Sequence, residues 1–213
     1  MTVNPVRGFK SHRYRSCRTP GSHLGSRAFW RFGGACPAIL DVVLSVQMND
    51  AAFASLGEQP LPSLAPGLRE MAARGIERRG AVLTWAGSPF TAVRSTPPID
   101  RTGWECDEAS LHLERFVPVG KTTAEGVPHI SVQGQRLLLG QGLALAFALR
   151  EPVYALTPRV PVRCIVAANE TNGTFRFHQI RAGESWHVPD LDSYQSEKVL
   201  VVNIEPPGAA ALS

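Results

Sequence analysis

The segment from Val162 to Pro206 constrains the fold most, because β-type patterns alternate with turn signals along it. Asn172-Gly173 separates two of these patterns. This dipeptide is a strong hairpin signal, since both residues tolerate the positive φ that a type I′ turn needs. Val199 to Ile204 forms an almost unbroken apolar run, which is typical of a strand buried on both faces. The segment therefore predicts a β-structure with Val199–Ile204 as a central strand.

The chain before this segment adds one helix and several short β-type patterns. Pro66 to Arg79 carries an apolar stripe at helical spacing, with Pro66 suited to the first turn and Gly80 to the C-terminal cap. From Gly80 onward the period becomes two, and we predict strands at 81–85, 90–95, 110–116, 129–139 and 143–149. The segment 129–139 has a turn at Gly134, and we expect Ile130 and Val132 to point inward. The Leu and Ala content of 143–149 equally suits a two-turn helix.

These patterns predict a mainly β protein. We expect an antiparallel β-sandwich or small β-barrel with one N-terminal helix and an appended C-terminal β-unit. The predicted segments are 1–47, a basic, acid-poor arm; 48–152, a helix plus a β-barrel-like unit; and 153–213, the C-terminal β-unit.

The arm at 1–47 has three competing interpretations. It is a flexible tail, upstream sequence that precedes a true start at Met48, or an Arg- and Ser-rich transit peptide. Residues 1–40 contain no acid and seven basic residues: Arg7, Lys10, Arg13, Arg15, Arg18, Arg27 and Arg31. If any part of the chain contacts nucleic-acid phosphates, we expect it to be these side chains.

Composition excludes several classes of protein. The 213 residues are 44% hydrophobic and 19% charged, as in soluble globular proteins. Subtracting the seven charges of the arm from the net charge of +4 leaves −3 for residues 41–213, so the basic balance does not indicate a nucleic-acid-binding fold. No apolar run approaches 18 residues and no signal peptide is recognised, so we expect a virion or cytoplasmic location.

The cysteines give no framework for disulfides or zinc. They are scattered without a C-x-x-C pair, and they are Cys17, Cys36, Cys106 and Cys164. We interpret them as reduced thiols.

Motifs that would indicate enzyme chemistry are incomplete. Gly120-Lys121-Thr122 resembles the end of a phosphate-binding loop, but Arg115 stands where the first glycine belongs. Gly140-Gln141-Gly142 lacks the third glycine of a dinucleotide site. Gly183–His187 resembles a nucleophile elbow around Ser185 without its last glycine.

Two acidic clusters are candidate metal ligands. His187, Asp190 and Asp192 could act with His178 or Glu184, although Asp in a turn commonly bonds its own backbone. Glu105, Asp107 and Glu108 surround Cys106, and we interpret them as a solvated acidic turn. We predict no catalytic, cofactor-binding or metal-binding residues.

Aromatic and glycosylation signals have structural interpretations. Trp85, Trp104 and Trp186 are expected in the core, although an exposed tryptophan could stack on a sugar ring. Asn169 and Asn172 begin glycosylation acceptor patterns, but without a secretory signal we interpret both as turn residues.

A family resemblance covers about a third of the chain. The segments that carry it are Leu83–Gly87, Gly103–Glu108 leading into Leu111–Leu113, Gly134–Arg136 and Arg150-Glu151. In this order, residues 81–151 resemble the small β-barrel proteins of tailed-phage necks, the head–tail joining or connector type. The resemblance implies a virion assembly protein with no catalytic residues to carry over.

We therefore expect a non-enzymatic structural or assembly protein, such as a phage-like virion component, that acts through self-association or other assembly proteins. The alternatives are a ligand- or carbohydrate-binding β-sandwich module and, less favoured, a metal-dependent or serine hydrolase. Prolines 152, 158 and 161 bracket residues 153–156, which we predict to be a short edge strand with Tyr154 as the aromatic anchor of an assembly contact. The alternative is that residues 153–156 cross between two β-units and are covered by the same chain.

Overall fold

The computed structural model describes residues 43–89, 100–124 and 127–207. Its strands are β1 (Val43–Met48), β2 (Ile76–Arg79), β3 (Val82–Trp85), β4 (Leu111–His112), β5 (Lys121–Ala124), β6 (Val127–Ile130), β7 (Val162–Ala168), β8 (Gly173–Gln179) and β9 (Lys198–Glu205). Its α-helices are α1 (Asp50–Leu56), α2 (Pro66–Arg74), α3 (Arg101–Glu108), α4 (Val132–Ala148) and α5 (Arg150–Tyr154).

One five-stranded antiparallel sheet organises the molecule. Its strand order is β1-β9-β7-β8-β4, and β2-β3 and β5-β6 form separate two-stranded sheets. Because side chains alternate along a strand, each strand contributes to two faces. The inner face carries Val46, Val202, Val166 and Phe175, all nearly inaccessible to solvent. The outer face carries Ile165, Val199 and Val201, which pack with Leu191 in a second, smaller apolar cluster.

The buried strand predicted at Val199–Ile204 is confirmed. It lies within β9, which has β1 on one side and β7 on the other, and every residue from Val199 to Ile204 is buried. Apolar side chains on both faces are needed because the inner face meets the main core while the outer face meets the connection between β8 and β9.

The predicted hairpin exists as β7–β8, but its connection spans residues 169–172, and Gly173 does not have the positive φ that a type I′ turn at Asn172-Gly173 would need. Asn169 Oδ1 accepts hydrogen bonds from Thr171 N and Oγ1 and from Asn172 N, and this side chain holds the turn. Gly173 is the first residue of β8. A Cβ there would lie 2.9 Å from Leu138 Cδ1, so the glycine is required by close approach of α4.

Helix α4 corrects two strand predictions. Residues 143–149 and most of 129–139 were predicted as strands, but Val132–Ala148 is one helix, capped by Ser131, whose Oγ accepts from Gly134 N. Ile130 is buried in β6 as predicted, whereas Val132 is 62% exposed. The helix is buried over most of its circumference, so its sequence lacks the polar stripe that marks an amphipathic helix.

The helix predicted at Pro66–Arg79 ends earlier than expected. Gly75, with φ of 75°, terminates α2, and residues 76–79 become β2, which pairs with β3. The strand predicted at 90–95 lies outside the described residues. Of the strand predicted at 110–116, only β4 is extended, and a 3₁₀ helix follows at Leu113–Arg115.

The edge strand predicted at 153–156 is wrong. Val153 and Tyr154 belong to helix α5, where Pro152 falls in the first turn and so breaks no intrahelical hydrogen bond. Val153 is buried, and Tyr154 packs against the main core. Tyr154 is therefore not the anchor of an exposed edge.

The predicted segment boundaries fall inside elements of the structure. The boundary at 47/48 lies within β1, and the boundary at 152/153 lies within α5. β1, β4 and β7–β9 come from all three predicted segments yet form one sheet over one core. The antiparallel β-content is confirmed, and the architecture is mixed α/β, with α4 covering the centre of the inner face.

Within the described residues, no helix is both long and apolar enough to cross a membrane.

Candidate functional site

The carboxylate of Glu105, on α3, accepts four hydrogen bonds. Its Oε1 accepts from Leu83 N at 2.7 Å and from Arg181 Nη2 at 2.6 Å. Its Oε2 accepts from Gln179 N and from Arg181 Nη1, both at 2.8 Å. The Glu105 side chain is fully buried and that of Arg181 is 10% exposed. We call Glu105 and Arg181 the buried ion pair.

The buried ion pair joins three elements that are distant in sequence. Glu105 holds the N–H groups of β3 and β8, while Arg181 Nη2 also donates to Ala81 O at 3.1 Å. Burial alone would lower the pKa of Arg181, but its hydrogen bonds to Glu105 and that carboxylate's charge raise it. All four hydrogen bonds to Glu105 come from protein donors. The carboxylate therefore has a structural role, which is to hold α3 against β3 and β8.

A second carboxylate extends this network toward solvent. Glu184 Oε2 accepts from Thr102 N at 3.2 Å and Thr102 Oγ1 at 2.7 Å. It also lies 3.8 Å from Arg181 Nη1. Asp100 caps α3 by accepting from Gly103 N at 2.6 Å. The start of α3 is thus tied to the chain that leaves β8.

Two histidines lie beside the outer face of the sheet with one ring nitrogen unpaired. His178 is fully buried, and its Nδ1 donates to Gln179 O at 2.8 Å. His187 Nδ1 donates to Val188 O at 2.8 Å. In each ring Nε2 is buried without a hydrogen-bond partner. Since Nδ1 carries the proton, each Nε2 is left as an acceptor.

Burial lowers the pKa of both imidazoles. The pKa of His178 is lowered to about 4, mainly by desolvation; the charges of Arg163 and Arg181 also lower it, and the hydrogen bond to Gln179 O opposes them. Desolvation also lowers the pKa of His187. Arg163, whose own pKa is lowered by burial, donates from Nε to Asn203 Oδ1 at 2.9 Å. These groups form a desolvated polar region beside the buried ion pair.

The carboxylates considered as metal ligands accept hydrogen bonds from protein groups. Asp190 Oδ1 accepts from Asp192 N at 3.2 Å, and Asp192 Oδ1 accepts from Asp50 N at 2.7 Å. Glu184 is bonded to Thr102. The part of the chain that the structure describes contains no group of three or more His, Cys, Asp or Glu side chains that could hold a metal ion.

The nucleophile-elbow and phosphate-loop candidates also take other roles. Ser185 Oγ donates to the carbonyl oxygen of His187 at 2.8 Å, so the described contact is not between hydroxyl and imidazole. Lys121 and Thr122 belong to β5, and a strand rather than a helix follows Gly120. Gly140 and Gly142 lie inside α4.

The described cysteines are free and inert. Cys106 and Cys164 are both fully buried. Desolvation raises the pKa of Cys106 to about 12 and raises that of Cys164 still further. Both therefore stay protonated near neutral pH and are poor nucleophiles. Cys17 and Cys36 lie outside the described residues, as do the basic side chains of 1–40.

The tryptophans divide between core and surface. Trp85 lies edge-on to Phe177, with ring centroids 4.9 Å apart, and its Nε1 donates to Ala109 O at 3.0 Å. Trp186 is 40% exposed. Its ring lies near α3, where a Cβ added to Gly103 would be 3.4 Å from Cζ3.

Sequence reasoning missed the role of Glu105. It placed Glu105, Asp107 and Glu108 in a solvated turn, whereas they lie on α3 and Glu105 is buried. It did not single out Arg181 at all. No local signal identifies the pair, because its two members are separated by 76 residues.

Asn49 was also missed. Its Oδ1 accepts from Ala52 N and Val199 N, and its Nδ2 donates to Glu197 O at 2.8 Å. The N-cap residue type ahead of α1 was the available signal.

Fold and site together define a mixed α/β protein in which a buried ion pair joins the antiparallel sheet to helix α3. Over residues 58–210 the chain matches the family described as the uncharacterized protein PM0498 family, and it belongs to that family. No curated protein and no solved structure matches the chain.

Proposed function

We propose that this protein is a non-enzymatic structural or assembly protein that acts by association with copies of itself. Within that class we assign it to a phage-like virion, as a component of the head–tail neck type. The resemblance of residues 81–151 supports the narrower assignment, and the position of β1 at the end of the sheet supports the broader one.

The edge of β1 is the observation that carries the proposal. β1 terminates the five-stranded sheet, so one side of Val43–Met48 has no partner strand among the described residues. The six residues contain neither charge nor proline. Their pairing with β9 is continuous from Val43 to Met48, without a bulge. Such an edge lacks the usual devices against pairing with another chain.

The other described edges carry those devices. β4 at the far end of the sheet has only two residues. Glu105 occupies the N–H groups of Leu83 in β3 and Gln179 in β8. β2 carries Glu77, Arg78 and Arg79, and the β5–β6 sheet contains Lys121 and Pro128. β1 is therefore the described edge strand whose sequence is least protected against pairing with another chain.

Light scattering after size exclusion tests the proposal. We expect the wild-type chain to show a mass above 23.1 kDa that increases with concentration. The double substitution Ser45→Lys and Gln47→Lys, on the outer face of β1, should return the mass to that of one chain because like charges then meet at the contact.

The matched control adds the same charge away from the edge. Ala51 and Ala54 are exposed on α1, so Ala51→Lys with Ala54→Lys should leave the mass of the assembly unchanged. A wild-type chain that stays at 23.1 kDa at every concentration contradicts the proposal.

One observation favours a second candidate, a carbohydrate-binding module. Trp186 and Val188 are 40% and 46% exposed on the connection between β8 and β9. An exposed indole is suited to stacking on a sugar ring. Binding on a glycan array that is lost in Trp186→Ala, with an unchanged melting temperature, would favour this function over assembly.

A further inference from the structure

We propose that residues 183–194, in the connection between β8 and β9, form a cover that mild acid releases from the outer face of the sheet while the sheet itself stays folded. We call these residues the cover. The groups that respond to acid are His178, on the sheet, and His187, in the cover. The inference goes beyond the proposed function and does not depend on self-association.

The cover is attached to the sheet by few contacts. Its Leu191 and Tyr194 pack on Ile165, Val199 and Val201, and this cluster is separate from the main core on the inner face. Among the described residues, no backbone-to-backbone hydrogen bond joins the cover to a strand. A segment held by a small cluster and a few side-chain bonds can open locally while the rest of the protein stays folded.

The cover begins at a residue that can act as a hinge. Gly183 has a φ of 76°, which favours glycine, and a Cβ added there would meet nothing within 4 Å. Beyond it, the cover is bonded to the helices through two carboxylates. Glu184 accepts from Thr102, and Asp192 Oδ1 accepts from Asp50 N at 2.7 Å. Rotation at Gly183 would therefore move the cover without moving β8.

The two histidines lie on opposite sides of the junction between cover and sheet. Phe177 is in the main core, so His178, the next residue of β8, faces outward, where it pairs with Arg163 of β7. It is nevertheless fully buried. His187 lies between two chain neighbours that are 40% and 46% exposed, yet its own Nε2 is buried. The His187 ring is therefore directed toward the sheet.

Protonation introduces a group that the closed structure does not accommodate. In both rings Nδ1 donates to a backbone oxygen, and the buried Nε2 has no hydrogen-bond partner. A proton added to Nε2 would create a buried donor without an acceptor and a buried positive charge. Both are costly away from water. Opening the cover returns the nitrogen atoms to solvent and removes that cost.

The charges around the rings are unevenly distributed. The charged residues of the elements packed here are Arg163, Arg176, Arg181, Glu105, Glu184, Asp190, Asp192 and Glu205. Beyond desolvation, which is the largest cause, the charges of Arg163 and Arg181 lower the pKa of His178. Arg163 also lowers the pKa of His187, and a charge on His187 disfavours one on His178. Neighbouring positive charge therefore opposes protonation of both rings while the cover is closed.

The sign of the pH effect follows from these directions. The pKa of His178 is about 4 when the cover is closed and about 6.5 when the ring is in solvent, so the open state binds the proton more tightly. The cover is therefore held fully above pH 6.5 and is released as the pH falls toward 4. Between pH 7.5 and 5, His178 alone should raise the opening constant on the order of 20-fold.

Thiol labelling of the full chain tests whether the cover opens without unfolding. In a chain with Cys17→Ser and Cys36→Ser, Val201→Cys places a thiol in the apolar cluster beneath the cover. The native Cys164 lies in the main core and serves as the internal control. Maleimide labelling is located by peptide mass spectrometry, and each rate is divided by that of the unfolded chain at the same pH. From pH 7.5 to 5 we expect the normalised rate at position 201 to rise on the order of 20-fold and that of Cys164 to stay constant.

Substitutions in the same background identify the responding groups. His178→Gln and His187→Gln should each reduce the rise at position 201, because each removes one proton-binding ring. His187 is half-exposed, so its variant provides the test if His178→Gln does not fold. Asp192→Asn is the matched control in the cover. Its amide oxygen can still accept from Asp50 N, so the response to pH should be retained.

Three results would overturn the inference. The first is a normalised rate at position 201 that does not change between pH 7.5 and 5. The second is an equal rise at Cys164, because the sheet would then be unfolding as a whole. The third is a response that persists in both histidine variants or disappears in Asp192→Asn, since groups other than the imidazoles would then control the cover.

Discussion

At the scale of single residues, a few buried polar groups determine how the elements are held together. Glu105 and Arg181 join α3, β3 and the end of β8 through hydrogen bonds of 2.6–2.8 Å. Neither charge reaches solvent appreciably. A buried pair of this kind contributes little compared with apolar residues of equal volume, but removing one partner leaves an uncompensated charge.

Glu105→Gln should therefore be strongly destabilising. The amide cannot neutralise Arg181, and its NH₂ group would face the Gln179 N–H donor. We expect a loss of about 3–5 kcal/mol in the free energy of unfolding, measured by urea denaturation. Glu70→Gln, on the exposed surface of α2, is the matched control and should change stability by less than about 0.5 kcal/mol.

The double variant distinguishes charge from shape. Glu105→Met with Arg181→Met removes both charges, so it should be more stable than Glu105→Gln. If the single variant is as stable as the wild type, the buried ion pair does not fasten α3 to the sheet.

His178 should make stability depend on pH. Its pKa is lowered to about 4 in the folded protein, against about 6.5 when unfolded, because the buried ring loses solvation beside Arg163 and Arg181. The unfolded state therefore binds the proton more tightly. The stability contribution is complete above pH 6.5 and is lost as the pH falls toward 4, by up to about 3 kcal/mol.

Urea denaturation between pH 7.5 and 4 measures this effect. We expect His178→Gln to flatten the decline, and His187, whose pKa is also lowered, to account for part of what remains. An identical pH dependence in wild type and His178→Gln would show that protonation of His178 is not linked to unfolding.

At the scale of elements, α4 is positioned by glycines rather than by an amphipathic pattern. A Cβ on Gly142 would collide with Val166 Cγ1, so the helix backbone lies directly against β7. Gly173 in β8 likewise lets α4 come close to the sheet, because Leu138 occupies the space that a side chain at position 173 would need. The helix can thus lie close to the sheet and bury residues on several sides.

Gly142→Ala should destabilise the protein even though alanine is the better helix former. Alanine gains up to about 1 kcal/mol in helix propensity, but its Cβ collides with Val166. We expect a net loss of about 1–3 kcal/mol by thermal or urea denaturation.

Val166→Ala removes the colliding methyl groups and provides the control. Gly142→Ala combined with Val166→Ala should cost less than the sum of the two single substitutions. Strict additivity would mean that the two positions are not in contact.

At the scale of the whole molecule, the sheet connects the beginning and end of the described chain. β1 pairs with β9 over six positions, and Asn49 fastens the junction of β1 and α1 to the residues before β9. Leu44 and Val46 are 6% and 2% exposed within the main core. Residues 43–47 are therefore part of the fold.

Truncation should reveal this boundary. A chain that begins at Val43 should melt within a few degrees of the full chain, because the sequence before residue 39 shows little apolar periodicity. A chain that begins at Met48 loses Leu44 and Val46, whose burial stabilises by about 1.5–3 kcal/mol each, and it exposes an edge of β9. We expect its melting temperature to fall substantially. Equal melting temperatures for both truncations would contradict the contribution of β1.

The sequence by itself determined features that depend on neighbours along the chain. The apolar run at Val199–Ile204 predicted a strand buried on both faces, Asn172-Gly173 located the β7–β8 hairpin, and Pro66 marked the start of α2. These signals are local, because side-chain period, the turn preference of Asn and Gly, and the missing N–H of proline act within a few residues.

Only the tertiary structure decided the features that depend on distant partners. α4 was mistaken for strands because a helix buried on most sides loses its polar stripe, and the pairing of Glu105 with Arg181 spans 76 residues. The strand at 43–48 could not be assigned to an edge until its position beside β9 was known. Burial and edge position are properties of the assembled sheet, since they depend on which segments cover a residue rather than on which residues adjoin it.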